Sequence, residues 1–518
     1  MLRPMLWWQV VRRGLSRKDM ISDTQSGNPI LSLQTRTRRL SVAIFLGLSG
    51  LLLAAIQYRF QPMIYYDTAS YAQYLVLISK GRILEILNTQ PLGWSFLALP
   101  LFKLGIPPLY CFIFLASLSY ILFLWCTLEI LYPYCSPITA LIACSVIALE
   151  PYFSSLIWPG LTDVPFVAII AALLLVVFKT DVSIWNSIIV GLIASLACHL
   201  RYPGLFLFLG VPVLQLVRGT SLREGIIHGS IAFVALTIFA SPIFIRNLLA
   251  GEDIIWMNPI ITGSVLETSA LWIVHYFRAA LLIPTSWIFK IQVNMKLWNT
   301  VVAGGIVYFL LIMIFTLIFR KNKLLLITCL LAGIYTGTML STKTHLETRY
   351  LLPSIYLMLV WSFVAIEIIG GKYQKIRQFL LSLALMHALA VSIYMSIVSY
   401  SFKGSPDFQE SIKEFRAHQL SGDKIAIVDD KGWHLFAVIT DIEPIRVDSE
   451  NRMASLKKIR SVGESIVLVT AVRSKKGSDE PLFTSWADIL KDWIKQYPEE
   501  FKVRYKGQWL MIVEHIGK

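Results

Sequence analysis

Long apolar runs broken by short polar and basic segments fill roughly the first 400 positions of this chain. Crossing a hydrocarbon core of about 30 Å takes roughly 20 apolar residues in a helix, with every backbone polar group satisfied inside the segment. Leu109–Leu131, Ile226–Leu249, Val301–Phe319, Leu324–Leu340, Leu351–Ile369 and Phe379–Val398 meet that test outright. Shorter runs near 40–56, 137–150, 164–178, 184–200 and 203–217 bring the expectation to about eleven crossings. The weakest are 137–150 and 203–217, which are interrupted near Pro137, Pro203 and Pro212. Beyond about Ser401 the pattern changes. Short β-type runs (Lys424–Val428, Ser465–Val469, Trp509–Val513) alternate with helical stretches such as Trp486–Gln496. The pattern predicts an α-helical polytopic membrane protein carrying a small soluble α/β domain over 401–518.

Charge orients the bundle. Lys and Arg favour cytoplasmic loops, so the basic arm at 1–39, with Arg12, Arg13, Arg36, Arg38 and Arg39 among its cations, stays inside. The transmembrane domain, 40–400, then has its first loop, 57–108, on the outside. Counting on, Arg218, Arg223, Arg320, Lys321, Lys323, Lys372, Lys375 and Arg377 all fall on the cytoplasmic side, which supports the alternation. The same count puts 250–299 outside as an interfacial segment, Trp-rich and bounded by Pro259 and Pro284, and 401–518 outside as well. Gln57-Tyr58-Arg59-Phe60 is no small-residue cleavage site, so the first run is read as an anchor.

Composition adds exclusions. With 56% hydrophobic and 15% charged residues the chain is no single soluble globule. The formal charge of +15 sits mostly in the arm and in short loops, which argues against nucleic acid as a partner. The six cysteines lie in or beside apolar helices, at spacings that fit neither a disulfide framework nor a zinc site.

Ionisable residues cluster on the expected outer face. Asp67, beside Tyr66, opens an expected amphipathic helix over Thr68–Ser79, followed by Gln90-Pro91-Leu92-Gly93-Trp94. Glu150 ends the third crossing, and Asp163 stands at the outer end of the fourth. Arg201 lies in His199-Leu200-Arg201-Tyr202-Pro203, Arg246 closes the seventh crossing, and His345, Glu347, Arg349 and Tyr350 open the tenth. Each has a plain structural reading: Asp67 and Asp163 as helix caps, the arginines as interfacial anchors, His199 as a hydrogen-bonded packing residue. Together they point to chemistry. Arginine forks bind phosphate, while a carboxylate accepts a proton from an attacking hydroxyl or holds a metal.

On these residues the chain resembles the GT-C superfamily of polytopic glycosyltransferases, most of all the branch of protein O-mannosyltransferases and lipid A aminoarabinose transferases. Six elements match in order: Tyr66-Asp67, Gln90-Pro91-Leu92-Gly93-Trp94, Thr162-Asp163, Arg201-Tyr202-Pro203-Gly204, Pro242 with Arg246-Asn247, and Arg349-Tyr350 with Pro353. The resemblance implies a sugar donor on a polyprenyl phosphate and a glycan, lipid or protein acceptor at the outer face of a membrane, with inversion at the anomeric carbon. For a bacterial chain that membrane is the plasma membrane. It further implies Asp67 and Asp163 as catalytic carboxylates and Arg201, Arg246, Arg349 and Tyr350 as the donor-phosphate site, with Glu150, Tyr66, His345 and Glu347 as additional candidates. Asp67-Thr68 replaces the paired acids of many mannosyltransferases, so no cofactor follows beyond a weakly bound divalent cation. A lipid or glycan transporter, a noncatalytic assembly scaffold and a glycan polymerase or ligase are the competing classes. Against a transporter, the charges cluster at one surface instead of near the midplane, and no matching Gly/Pro-interrupted helices occur in two halves.

Overall fold

The structure, a computed structural model, describes residues 29–57, 66–86, 90–150, 153, 156–219, 221–250, 307, 310–320, 322–341, 348–401, 417–418, 424–427, 445–446, 452–462, 466–471, 484–506 and 510–516. The expected interfacial segment, most of the basic arm, His345 and Glu347 lie outside them.

Helices occupy the described part of every expected crossing. In chain order they are α1 (Pro29–Gln57), α2 (Tyr66–Ser79), α3 (Gly93–Lys103), α4 (Pro108–Leu131), α5 (Pro137–Leu149), α6 (Asp163–Lys179), α7 (Ile184–Leu200), α8 (Leu207–Arg218), α9 (Leu222–Leu249), α10 (Lys323–Ser341), α11 (Leu352–Lys372) and α12 (Gln374–Ser401). A further helical stretch covers 310–318. Among the described residues, five helices are long and apolar enough to cross a membrane, and several shorter apolar ones accompany them. The protein is a multi-pass membrane protein.

Of the three prolines that weaken two of the apolar runs, Pro137 and Pro203 turn out to start helical turns, while Pro212 lies inside α8. Pro137 sits in the first turn of α5, behind Ser136, whose side chain accepts from Thr139 N. Pro203 opens a short 3-10 turn, Tyr202–Phe206, that leads into α8. Proline lacks the N–H that a first turn leaves unpaired, so both positions suit it.

The chain forms two compact units. The first comprises Met1–Gln61, Leu87–Trp94 and Phe112–Tyr400. Here α1 turns a seam of small residues, Ala43, Gly47, Gly50 and Ala54, to the interior and points Phe45, Leu48, Leu52 and Ile56 outward. Small residues at helical spacing let two backbones approach, the usual packing device where lipid supplies no hydrophobic drive. A Cβ at Gly50 would stand 2.7 Å from the Tyr120 hydroxyl and 2.9 Å from Ala148 O. Around Phe123, Phe153 stacks at 5.4 Å and Tyr356 meets its edge at 4.9 Å, linking α4 to α11. Buried Glu129 in α4 receives both Arg39 of α1 and Lys179 of α6, so one carboxylate ties three helices.

The second unit comprises Pro62–Ile86, Ser95–Cys111 and Ser401–Lys518. α2 is not the amphipathic helix the sequence suggests. Thr68, Ser70, Tyr71, Ala72, Tyr74, Leu75, Leu77 and Ile78 are all buried, and the sector they leave at 100° per residue holds half-buried Gln73 and Val76, so no described position from 67 to 78 is exposed. Its fully buried small polar positions, Thr68 and Ser70, are hydroxyls, which bury readily when hydrogen-bonded. Helix α3 is also unforeseen; Ser95 Oγ donates to Tyr71 O at 2.8 Å and pins it to α2.

The C-terminal part of this unit carries a five-stranded sheet: β1 (Lys424–Ile427), β2 (Ile445–Arg446), β3 (Ile466–Ala471), β4 (Phe501–Lys506) and β5 (Leu510–His515), in the order β2-β1-β3-β5-β4. β1 runs parallel to β2 and β3, while β5 pairs antiparallel with both β3 and β4. Helices α13 (Arg452–Val462) and α14 (Thr484–Gln496) connect the strands, giving the expected α/β domain.

Candidate functional site

Asp163 is the first residue of α6. Thr162 before it makes no side-chain cap, so the carboxylate stands beside the unpaired N–H groups of the first turn, where negative charge is favoured. The capping role expected for Asp163 is thereby corrected: it lies inside the helix, 2% exposed. Arg201 supplies the partner that a buried carboxylate needs, with Nη1 donating to Asp163 Oδ1. Arg201 is the C-cap of α7, in extended backbone (φ −153°, ψ 138°) just ahead of the 3-10 turn.

The same guanidinium lies 4.8 Å from the centroid of the Tyr350 ring, and Arg349 lies 5.3 Å from that centroid. Two cations, from residues far apart in sequence, thus share one aromatic ring. The Tyr335 hydroxyl donates to Tyr350 O and fixes the ring's backbone. Arg246, buried near the end of α9, donates from Nη1 to Asn247 Oδ1 at 3.0 Å, and Asn247 Nδ2 donates to the Tyr202 hydroxyl at 3.4 Å. A hydrogen-bonded chain therefore runs from Arg246 to the residue next to Arg201. Two guanidinium groups and one carboxylate meet around Tyr350, and Arg246 is linked to Tyr202 through Asn247; guanidinium groups so placed suit an anion with several oxygens.

The segment ahead of Asp163 is held by residues whose part in the site the sequence did not reveal. Gly160 adopts φ +70°, a conformation that disfavours side chains, and a Cβ there would meet the Phe112 side chain at 2.6 Å. Trp94 Nε1 donates to Gly160 O at 3.0 Å, and its ring stacks on Phe112 at 5.9 Å. The Gln-Pro-Leu-Gly-Trp element thus supports the Asp163 segment. Its tryptophan was visible as a motif letter, but the bond to a carbonyl 66 residues away was not. Tyr335, in an unbroken apolar run, gave no signal at all.

The remaining candidates part company. Glu150 caps α5 and accepts from Phe153 N at 3.2 Å, which holds a turn. His199 bonds Phe239 O at 2.8 Å between α7 and α9, its expected packing role. In the second unit, Tyr66 opens α2 and half-buried Asp67 lies in the first turn of that helix, inside it instead of capping it. Among the described residues no three His, Cys, Asp or Glu side chains gather as a metal-binding group.

No protein-family profile and no curated protein matches the chain. Solved structures do. ArnT from Cupriavidus metallidurans, bound to undecaprenyl phosphate, superposes with a TM-score of 0.59 at 11% identity, covering 91% of this chain and 97% of that one. Its apo state matches equally well. The chain shares the fold of these ArnT structures. The archaeal oligosaccharyltransferase AglB from Archaeoglobus fulgidus, in complex with an inhibitory peptide and a dolichol-phosphate, has a TM-score of 0.50 at 11% identity, over 84% of this chain and 69% of that chain. At such identities the likeness speaks for the fold alone, and the chemistry has to be argued from the side chains.

Proposed function

We propose that this protein transfers a sugar from a polyprenyl-phosphate carrier to a hydroxyl or amine of a glycan, lipid or protein at the outer face of a bacterial plasma membrane. The observation that carries the reading is the convergence of Arg201 and Arg349 on Tyr350, with Arg246 hydrogen-bonded toward the same place. Polyprenyl phosphates occupy both GT-C structures named above, which supports a lipid phosphate as the anion.

In this reading the acceptor oxygen or nitrogen attacks the anomeric carbon, the bond from that carbon to the phosphate oxygen breaks, and the carbon inverts. The leaving polyprenyl phosphate takes the bonding electron pair, and Arg201, Arg246 and Arg349 stabilise the charge as it develops. Asp67 receives the acceptor's proton. Asp163, already bound to Arg201, acts by aiming that guanidinium. Glu150, Tyr66, His345 and Glu347 take no step in it.

Cells lacking the protein test the reading. The lipid-linked sugar should accumulate while one glycosylated product disappears, both visible by mass spectrometry of the lipid pool. Unchanged lipid pools and glycans would overturn it in favour of transport or scaffolding.

A further inference from the structure

A cavity of about 510 Å³ among the described residues lies far from the arginine cluster. Helix α6 begins at Asp163 and contributes Val177 and Phe178 to the cavity wall, so the two places stand about 20 Å apart along one helix. Its other walls come from connections at that same end of the helices: after α4, between α6 and α7, between α8 and α9, and at the start of α10. On the charge count above, this is the cytoplasmic end.

The lining is chemically mixed in an ordered way. Arg218 Nη2 donates to Thr180 Oγ1 at 3.1 Å, which fixes the guanidinium, and Lys323 Nζ reaches Arg218 O at 3.4 Å, which brings the second cation beside it. Asp181 follows Thr180 in the chain, and Glu224 opens α9, so two carboxylates border the same space. Tyr134 and Phe178, edge to face at 5.8 Å, give it an aromatic wall. Asp181, Glu224 and Lys323 are exposed, and so within reach of a ligand.

A ligand matching these groups needs anionic oxygens for Arg218 and Lys323, an N–H-bearing cation for Asp181 and Glu224, and an apolar part for the aromatic wall. It must also be found where helix ends meet the membrane surface. We propose that the cavity binds the headgroup of a zwitterionic phospholipid that carries both a phosphate and a primary amine. A purely anionic headgroup would match Arg218 and Lys323 but bring no cation to Asp181 and Glu224. A quaternary amine has the charge but no N–H to donate. Basic pockets between transmembrane helices at the cytoplasmic side are known places for lipid headgroups, and the added acids narrow the choice. The inference does not depend on the transferase reading, because it uses none of that site's residues.

Native mass spectrometry of the purified full-length protein can test it, with phosphatidylethanolamine, phosphatidylglycerol and phosphatidylcholine of matched acyl chains. Phosphatidylethanolamine should be retained about ten-fold better than the other two, equivalent to about 1.4 kcal/mol. Lys323→Gln should lower its retention several-fold. Asp181→Asn with Glu224→Gln should remove the preference over phosphatidylglycerol. All three substitutions fall on exposed side chains, and helical content by circular dichroism confirms that each variant is folded. Equal retention of the three lipids by the unmodified protein would overturn the proposal, as would folded variants that bind like it. Equally strong binding of glycerophosphoethanolamine would show a water-soluble phosphoamine site and overturn the lipid assignment.

Discussion

At the scale of single residues, the types of charge were legible in the sequence but their pairings were not. Asp163 and Arg201 stand 38 positions apart, and nothing in either motif says that one neutralises the other. That pairing yields a test. Arg201→Gln strands a buried carboxylate, which costs about 3–5 kcal/mol, so thermal or denaturant stability should fall sharply. Adding Asp163→Asn removes the stranded charge and should restore most of the stability, while transfer stays lost because the phosphate has one guanidinium fewer. Recovery of both in the double variant would show that Arg201 serves the fold alone. Asp67 calls for a different substitution. Asp67→Asn keeps a side-chain oxygen beside the first turn of α2 but cannot accept the acceptor's proton, so product should vanish at normal protein level. Full activity would remove Asp67 from the mechanism.

At the scale of elements, run length and apolarity located the crossings. The alternation of Ala43, Gly47, Gly50 and Ala54 with Phe45, Leu48 and Leu52 is written in the sequence of α1. Periodicity failed for α2, where no described position from 67 to 78 is exposed, and α3 went unforeseen because its exposed face, with Phe96 and Leu97, is itself apolar. In α2, small hydroxyls such as Thr68 and Ser70 read as polar although they are buried. The α1 seam can be broken selectively. Gly50→Leu drives a side chain into the Tyr120 hydroxyl and the Ala148 carbonyl, and overpacking of this kind costs about 1–3 kcal/mol. A lower melting temperature and reduced membrane yield are expected. Leu48→Ala on the exposed face should change neither much, and equal effects from both would refute the seam.

For the whole molecule, the apolar runs and the change of texture after Ser401 made the fold class legible, because burial in lipid is a property of composition. The side on which each end lies rests on the loop charges. Cysteines introduced at Lys321 and at exposed Lys457 should react with a membrane-impermeant maleimide from opposite sides of sealed vesicles; reaction from one side would undo the eleven-crossing arrangement. The native cysteines are buried or half-buried and should stay silent. Glu129, which binds Arg39 and Lys179, carries a consequence for how such a chain is made. Arg39 is translated first, Glu129 follows 90 residues later, and Lys179 emerges 50 residues after that. At about 5–20 residues per second, the ribosome leaves several seconds in which Glu129 has Arg39 as its only partner of the two. The nascent chain can thus join its first and second crossings before the fourth exists, and Lys179 then closes a clasp that is already half made.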